Sequence, residues 1–298
     1  MIDFQEAARR AEILTQAMPY IQKYRGRIIA IKYGGNAMVS EELKNQVMED
    51  IALLHMIGVQ VVLLHGGGPE INAGLRKIGK EPKFVDGLRV TDEETIDVVQ
   101  MVLAGKVNKG LVDLLQRKGV RAVGLSGIDA RMIKCVMKDP ALGYVGRITD
   151  VDVSVIRDVM DAGYVPVIST LGCDDEGNIY NINADTAAAY IAGAMGAERL
   201  FMMTDIAGIL RDKDDPASLI SSLDIEEAVE LFRTGVISGG MIPKVDCCID
   251  AISRGVHKVI IMDGRVSHSI LLEILTNEGC GTMVMEKREE TANDDKGA

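Results

Sequence analysis

Tryptophan is absent from this 298-residue chain, and only four phenylalanines and seven tyrosines are present. So few rings provide no stacking platform for nucleic acid. Positive charge is also in deficit: 33 Lys and Arg against 44 Asp and Glu leave a net charge of −11. That balance argues against a general nucleic-acid or anionic-membrane surface, while leaving room for a local cationic pocket. No apolar run approaches the ~20 residues of a membrane span. The N-terminus carries Asp3, Glu6, Arg9 and Arg10 and lacks the apolar stretch of a secretory signal. Cys135, Cys173, Cys247, Cys248 and Cys280 make an odd set without CxxC or Cys/His metal spacing. They read as free thiols in a reducing cytoplasm. His55, His65, His257 and His268 are scattered with no HExxH, so no protein-held metal is expected. No GxGxxG opens a helix after a strand, and no GxSxG nucleophile elbow exists. Gly74 to Glu81 spells GxxxxGK, but Glu81 stands where a P-loop needs Ser or Thr, and the stretch follows a helix.

What is there is organised around Val61-Val62-Leu63-Leu64-His65-Gly66-Gly67-Gly68-Pro69-Glu70. An unalternating apolar run reads as a strand buried on both faces, as in a parallel sheet. The three glycines let a backbone approach a ligand with no Cβ in the way, and Pro69 suits a first helical turn. A glycine turn opening a helix presents N–H groups and partial positive charge, which suits phosphate. One such turn has an equally good reading as a tight connection without a ligand. A second turn of the kind, Lys32-Tyr33-Gly34-Gly35-Asn36 after the strand Arg27 to Tyr33, tips the balance. Between them, a helix from Glu41 to Ile57 capped near Ser40 completes a βαβ unit. Both glycine turns then fall at the same edge of a parallel sheet, where ligands of open α/β folds sit.

Elsewhere, Phe4, Ala8, Ala11, Leu14 and Met18 share one face of a helix covering residues 2 to 24. Pattern alone leaves two roles open: packing on its own domain, or an oligomerisation arm. The motif Thr91-Asp92-Glu93-Glu94 predicts a capped helix to about Ala104, with another from Asn108 to Lys118. Val120 to Leu125 and Val165 to Ser169 read as strands, residues 131 to 149 as an antiparallel insertion, and Val151 to Ala162 as a helix. A second half begins near Tyr180. It holds the alanine-rich helix Ala184 to Met195, the strand Leu200 to Thr204, and the segment Gly239 to Lys244 opening a helix to Arg254. Lys258 to Met262 and Thr282 to Met285 are strands. The expected division is an N-terminal helix over 1–24, a first lobe over 25–178, a second over 179–285 and a disordered charged tail over 286–298.

Lys32 before one glycine turn, Lys244 in the Gly-rich segment and Asp185 at the start of the alanine-rich helix together suit phosphoryl transfer. Each lysine alone is more often a solvated charge. The transferring group spreads charge over its oxygens, so catalysis is mainly positioning and electrostatics. An aspartate between two lysines would hold both in place and protonated.

These residues also carry a resemblance. Ile31-Lys32-Tyr33-Gly34-Gly35-Asn36-Ala37-Met38, Leu64-His65-Gly66-Gly67-Gly68-Pro69-Glu70-Ile71, Asp86-Gly87-Leu88-Arg89-Val90-Thr91, Tyr180-Asn181-Ile182-Asn183-Ala184-Asp185 and Gly239-Gly240-Met241-Ile242-Pro243-Lys244 resemble the acetylglutamate kinases of the amino acid kinase family. The five segments occur in order between about Arg27 and Met285. The resemblance implies an open three-layer αβα sandwich with a mainly parallel central sheet in two lobes. It implies transfer of the γ-phosphoryl of ATP, with Mg²⁺ carried on the nucleotide, to the side-chain carboxylate of N-acetyl-L-glutamate in arginine biosynthesis. By resemblance, Lys32 and Lys244 stabilise the transferring group and Asp185 organises them. Gly34 and Gly35 serve phosphate, and Gly67 and Gly68 offer N–H groups to the substrate's reacting end. Arg89 takes the substrate α-carboxylate, for which a guanidinium fork is well shaped, and Asn181 binds the amino-acid substrate. The nucleotide base belongs around Thr204 to Leu210 and Ser238 to Met241.

Departures exist at Gly127-Ile128-Asp129-Ala130, where Lys-Asp-Gly usually follows Ser-Gly, and at Arg147, where an acidic residue is common. They touch no carried-over catalytic residue. Arginine-inhibited members resemble this chain in their N-terminal helix, which interlaces dimers into a hexameric ring. The resemblance therefore implies a homo-oligomer built as a trimer of dimers. It also implies an L-arginine site between that helix and the segment His268 to Gly279, with His268 and Glu273 as contacts. A PII-type regulatory partner is a further implication of the resemblance. Competing readings are a related kinase acting on glutamate, aspartate, carbamate or UMP, and a catalytically silent arginine-binding regulator. Retention of Lys32, Lys244 and Asp185 speaks against the last.

Overall fold

The computed structural model describes residues 4–38 and 40–287. Residues 1–3 of the expected N-terminal helix and 288–298 of the expected tail lie outside the described residues.

The strands are β1 (Ile28–Tyr33), β2 (Gln60–His65), β3 (Phe84–Val85), β4 (Leu88–Arg89), β5 (Ala122–Ser126), β6 (Ile133–Met137), β7 (Gly146–Val151), β8 (Val165–Ser169), β9 (Leu171–Cys173), β10 (Ile179–Asn181), β11 (Arg199–Thr204), β12 (Ser222–Asp224), β13 (Lys258–Asp263) and β14 (Gly281–Met285). The helices are α1 (Phe4–Gln16), α2 (Met18–Tyr24), α3 (Glu41–Met56), α4 (Gly68–Lys77), α5 (Glu93–Gln100), α6 (Asn108–Arg117), α7 (Ser154–Asp161), α8 (Ala184–Met195), α9 (Ile225–Arg233), α10 (Ile242–Ser253) and α11 (Ser269–Leu275).

Eight strands form the central sheet in the order β12-β14-β13-β11-β1-β2-β8-β5. All neighbours run parallel except β13 with β14. Strands from before residue 178 occupy one end and those from after it the other, meeting where β1 pairs with β11. The unalternating sequences of β1 and β2 have a direct cause: both faces are covered. Ile29, Ile31, Val61 and Leu63 enter one core with Met48, Ile51, Leu111 and Leu115 of α3 and α6. Ala30, Val62, Leu64 and Met202 enter the other with the alanines of α8 and with Val245 and Cys248 of α10. Helices on both faces of a mostly parallel sheet make the three-layer sandwich. Burial of a Leu or Ile there stabilises by roughly 1.5–3 kcal/mol.

The insertion between β5 and β8 contributes β6 and β7, antiparallel as expected, to a second sheet ordered β10-β9-β6-β7. Pro166 is accommodated because the ladder to β2 begins only at Val167. Ser40 caps α3, its hydroxyl accepting from the Leu43 N–H at 3.3 Å.

Four local expectations change. The N-terminal helix is two helices: α2 restarts after Ala17 with Pro19 in its first turn, a position where proline's missing N–H costs nothing. Asp92, not Thr91, caps α5, accepting from the Thr95 N–H at 3.0 Å. The helix there also does not stop: Met101–Val107 continues as π-helix straight into α6. Finally, β7 extends through Val151, so α7 starts only at Ser154.

Candidate functional site

Parallel strands bring the ends of β1 and β2 to one edge, with Tyr33 in register with His65. Lys32 is the penultimate residue of β1 and is 7% exposed. A buried ammonium needs a counter-charge. Asp185, in the first turn of α8, supplies it: Lys32 Nζ lies 2.8 Å from Asp185 Oδ1 and also donates to the Met203 carbonyl at 3.3 Å. From the other side Lys244, in the first turn of α10, places Nζ 3.7 Å from Asp185 Oδ2. The packed helices α8 and α10 thus deliver an anion and a cation to the edge where β1 ends. Burial alone would raise the Asp185 pKa, but the two lysines outweigh it and hold the carboxyl below its ordinary value. Asp185 is therefore a fixed anion rather than a proton acceptor.

The glycines leave the space this needs. A side chain at Gly34 would begin 3.0 Å from Lys32 Nζ. Gly35 opens a short 3-10 turn at φ +70° beside the backbone of Thr204 and Asp205. At Gly67 a Cβ would lie 2.7 Å from Leu103 Cδ2 and 3.3 Å from Val107 Cγ2, both on the π-helical segment. Gly67 and Gly68 stand at the N-terminus of α4, where N–H groups lack intrahelical acceptors.

Next to these groups is a cavity of about 200 Å³ lined by Gly66 to Gly68, Arg89, Asn181 and apolar side chains including Ile71, Leu103 and Ile182. Arg89 is 7% exposed. Its guanidinium carbon lies 4.7 Å from the centre of the Phe84 ring, and Nη2 donates to the Gly68 carbonyl at 3.3 Å. Nη1 is buried without a partner, and burial lowers the guanidinium pKa. A buried charge with donor capacity to spare is arranged to meet an anion. Asn181 Nδ2 reaches Thr91 Oγ1 at 3.5 Å, which ties β10 to the segment following Arg89. Asn183 caps α8 through the Thr186 N–H at 3.0 Å and fixes where Asp185 emerges.

The chain from residue 27 to 263 matches the model of the Amino acid kinase family. It is 55% identical over 277 residues to the acetylglutamate kinase of Brachyspira hyodysenteriae, covering 92% of this chain and 96% of that one. It is 54% identical over 282 residues to the acetylglutamate kinase of a Synechococcus strain, covering 94% and 95%. The chain belongs to the amino acid kinase family. As an amino acid kinase it is a phosphotransferase. Among solved structures it is similar to the N-acetylglutamate synthase of Neisseria gonorrhoeae complexed with coenzyme A and N-acetyl-glutamate. That likeness has a TM-score of 0.80 at 27% identity and covers 94% of this chain. This kinase spans only 64% of the synthase chain. The carbamate kinase of Giardia lamblia bound to AMP-PNP shares the fold, with a TM-score of 0.65 at 20% identity over 88% of this chain and 99% of that one.

Lys32, Lys244 and Asp185 are thus brought into contact, and Gly67, Gly68, Arg89 and Asn181 line one cavity. His268 and Glu273 lie elsewhere, the first just before α11 and the second on it. His268 Nδ1 is 2.6 Å from Asp50 Oδ1 of α3. Glu273 is 7% exposed and accepts from the N–H groups of Cys280 and Gly281 at 2.7 and 3.0 Å. Among the described residues no group of three or more His, Cys, Asp or Glu could hold a metal, and no helix is long and apolar enough to cross a membrane.

Sequence reasoning passed over Phe84, Leu103 and the buried pair His65 and Asn108. Asn108 carried a signal: a polar residue on the same helical face as Leu111 and Leu115.

Proposed function

We propose that the chain transfers the γ-phosphoryl group of ATP to the side-chain carboxylate of N-acetyl-L-glutamate, giving N-acetyl-L-glutamyl 5-phosphate and ADP, as a step of arginine biosynthesis. The observation that carries this reading is Asp185 held between Lys32 at 2.8 Å and Lys244 at 3.7 Å beside the cavity that contains Arg89. The acceptor is already an anion, so no general base is required. What opposes the reaction is charge: a carboxylate approaching a phosphoryl group. Lys32 and Lys244 offset that charge, and Asp185 fixes both ammonium groups without competing for a proton. Gly34 and Gly35 offer backbone N–H groups to phosphate, and Gly67 and Gly68 to the acceptor oxygens. Preorganised donors of this kind are each worth about 3–4 kcal/mol in a transition state. Arg89 pairs with the substrate α-carboxylate through its unpartnered Nη1 edge, and Asn181 holds the amino-acid portion.

Mg²⁺ enters on the ATP phosphates, whose charge it neutralises. Asp185 is committed to two ammonium groups, so phosphate oxygens supply most of the ion's ligands. The first half of the chain holds the acceptor. The second holds the nucleotide, with the base around Thr204 to Leu210 and Ser238 to Met241. The site works in the cytoplasm, with neither nucleic acid nor membrane as partner.

Feedback by L-arginine fits the packing of α2 against α11, where the Tyr20 hydroxyl bonds Asn277 near Glu273. Phe4 and Leu14 of α1 are 78% and 73% exposed, which fits an arm that interlaces dimers into a trimer of dimers. A PII-type regulator would act on that assembly. The test is ADP release from Mg-ATP with N-acetyl-L-glutamate or glutamate, each with and without L-arginine. Activity confined to the acetylated acceptor and suppressed by arginine is expected. Activity with glutamate, carbamate or another acceptor alone would assign the site to a different substrate. Gel filtration giving a dimer at every concentration would remove the ring.

A further inference from the structure

His65 ends β2 directly before Gly66 and is completely buried. Its Nδ1 lies 2.9 Å from the Gly66 carbonyl oxygen. A carbonyl only accepts, so Nδ1 carries the proton and donates. Its Nε2 lies 3.1 Å from Nδ2 of Asn108, also completely buried at the start of α6. The amide orientation of Asn108 is settled by its other neighbours. Nδ2 donates to the Val167 carbonyl of β8 at 2.8 Å and the Leu125 carbonyl of β5 at 3.1 Å, while Oδ1 accepts from Lys109 Nζ at 3.1 Å. Two amide hydrogens are shared among three acceptors, and Nε2 of His65 must be one of them. One tautomer of neutral imidazole satisfies every contact. Burial favours the neutral ring, pushing the His65 pKa down to about 4.

The consequence falls on the next peptide. The Gly66 carbonyl and the Gly67 N–H belong to one planar trans unit, so they point in opposite directions. Drawing the carbonyl toward the buried ring turns the Gly67 N–H away from that ring, and Gly67 itself lines the cavity. The turn is pinned at two further points: the Gly66 N–H donates to the Tyr33 carbonyl at 3.2 Å, and Thr170 Oγ1 to the His65 carbonyl at 3.5 Å. On the far side, Leu103 and Val107 of the π-helical segment close on Gly67, and Asn108 follows directly in sequence.

We infer that Asn108 and His65 form a positioning relay: the amide selects the imidazole tautomer, and the imidazole aims the Gly67 N–H at the reacting oxygens. Neither touches the substrate. The relay rests on the assignment of Gly67 N–H to the acceptor made above, and it explains why a histidine precedes the glycines of this turn.

The test compares His65→Asn, His65→Gln and Asn108→Ala by kcat, by KM for ATP and N-acetyl-L-glutamate, and by thermal unfolding. The Asn side chain places an N–H where Nδ1 stands; Gln reaches toward Nε2 instead. The relay predicts a kcat loss of ~10- to 100-fold for His65→Gln, a fraction of that from one misdirected oxyanion donor removed outright, with KM for ATP within a few-fold. His65→Asn is expected to recover most of that loss although it too gives up Asn108. Asn108→Ala should fall between. A readout independent of turnover is the amide resonance of Gly67 in ¹⁵N-glycine-labelled protein, which should move in His65→Gln while that of Gly35 stays. Equal kcat in the Asn and Gln variants, or a fall in unfolding temperature with kcat unchanged, would overturn the relay. A parent enzyme inactive on N-acetyl-L-glutamate would instead overturn the substrate assignment, and the Gly67 resonance would still report whether His65 orients that peptide.

Discussion

Asp185 and Asp50 are both carboxylates taken out of water, and the surroundings push them in opposite directions. Asp185 lies between the ammonium groups of Lys32 and Lys244 and is held below its ordinary pKa despite burial. Asp50, 1% exposed on α3, is raised to about 6 because burial, with the nearby like charge of Glu49 adding to it, outweighs His268 and a backbone N–H from Leu271. Burial is common to both, so the count and type of cations decides the outcome. Two permanent cations make Asp185 a fixed anion, fit to orient lysines around a phosphoryl group. One half-exposed histidine leaves Asp50 able to titrate near neutrality, fit for a structural joint between α3 and α11 but not for a constant electrostatic task.

The largest effect that can break this contrast is on turnover. Asp185→Asn should lower kcat by at least ~100-fold, since both lysines lose the charge that holds them. Asp50→Asn should leave kcat within a few-fold, as measured by ADP release. Equal losses in the two variants would dissolve the distinction.

Stability against pH is next. The folded-state pKa of Asp50 lies above its ordinary value of 3.8. Its contribution is therefore fully present below about pH 4 and is lost as pH rises through about 6. Relative to Asp50→Asn, the parent should gain stability as pH falls from 7 toward 4, by an amount approaching about 3 kcal/mol. Thermal unfolding of both proteins across that range measures it, and parallel curves would contradict it. His65 has the opposite sign. Its pKa is depressed to about 4, so its contribution is present above pH 6.5 and lost as pH falls toward 4. The difference between parent and Asp50→Asn isolates Asp50 from that background.

A smaller effect sharpens the role of the cavity beside Asp185. Arg89→Lys keeps the charge but loses the planar fork and its stacking on Phe84. The KM for the acceptor should rise ~10-fold while the KM for ATP stays within a few-fold. A rise confined to ATP would move Arg89 to the nucleotide side.

Much of the sheet was legible because its strands are buried on both faces, and unalternating runs such as Val61 to Leu64 have few other uses. Ala184 to Met195 was legible to the residue, since Asn183 caps it and Gly196 ends it in a left-handed conformation. The chemistry-bearing residues were legible because glycine turns and first helical turns constrain where a side chain emerges. The π-helical stretch from Met101 to Val107 was not. Its departure from α-helical spacing comes with tertiary packing against Gly67, which no local periodicity encodes. The partnership of Asp50 with His268 spans 218 positions of sequence, and although His268 opens a segment singled out by resemblance, nothing local to either residue pairs it with the other. His65 was visible as a neighbour of glycines, but its role needs Asn108, which only folding brings to it.

The central claim is that two lysines fixed by Asp185 carry the phosphoryl transfer, and Lys244 tests it most directly. It is the less buried of the two, with a side chain 24% exposed, so its removal perturbs the core least. Steady-state ADP release by Lys244→Ala, with Mg-ATP and N-acetyl-L-glutamate at saturation, should fall by at least ~100-fold at unchanged unfolding temperature. A near-normal rate would contradict the account.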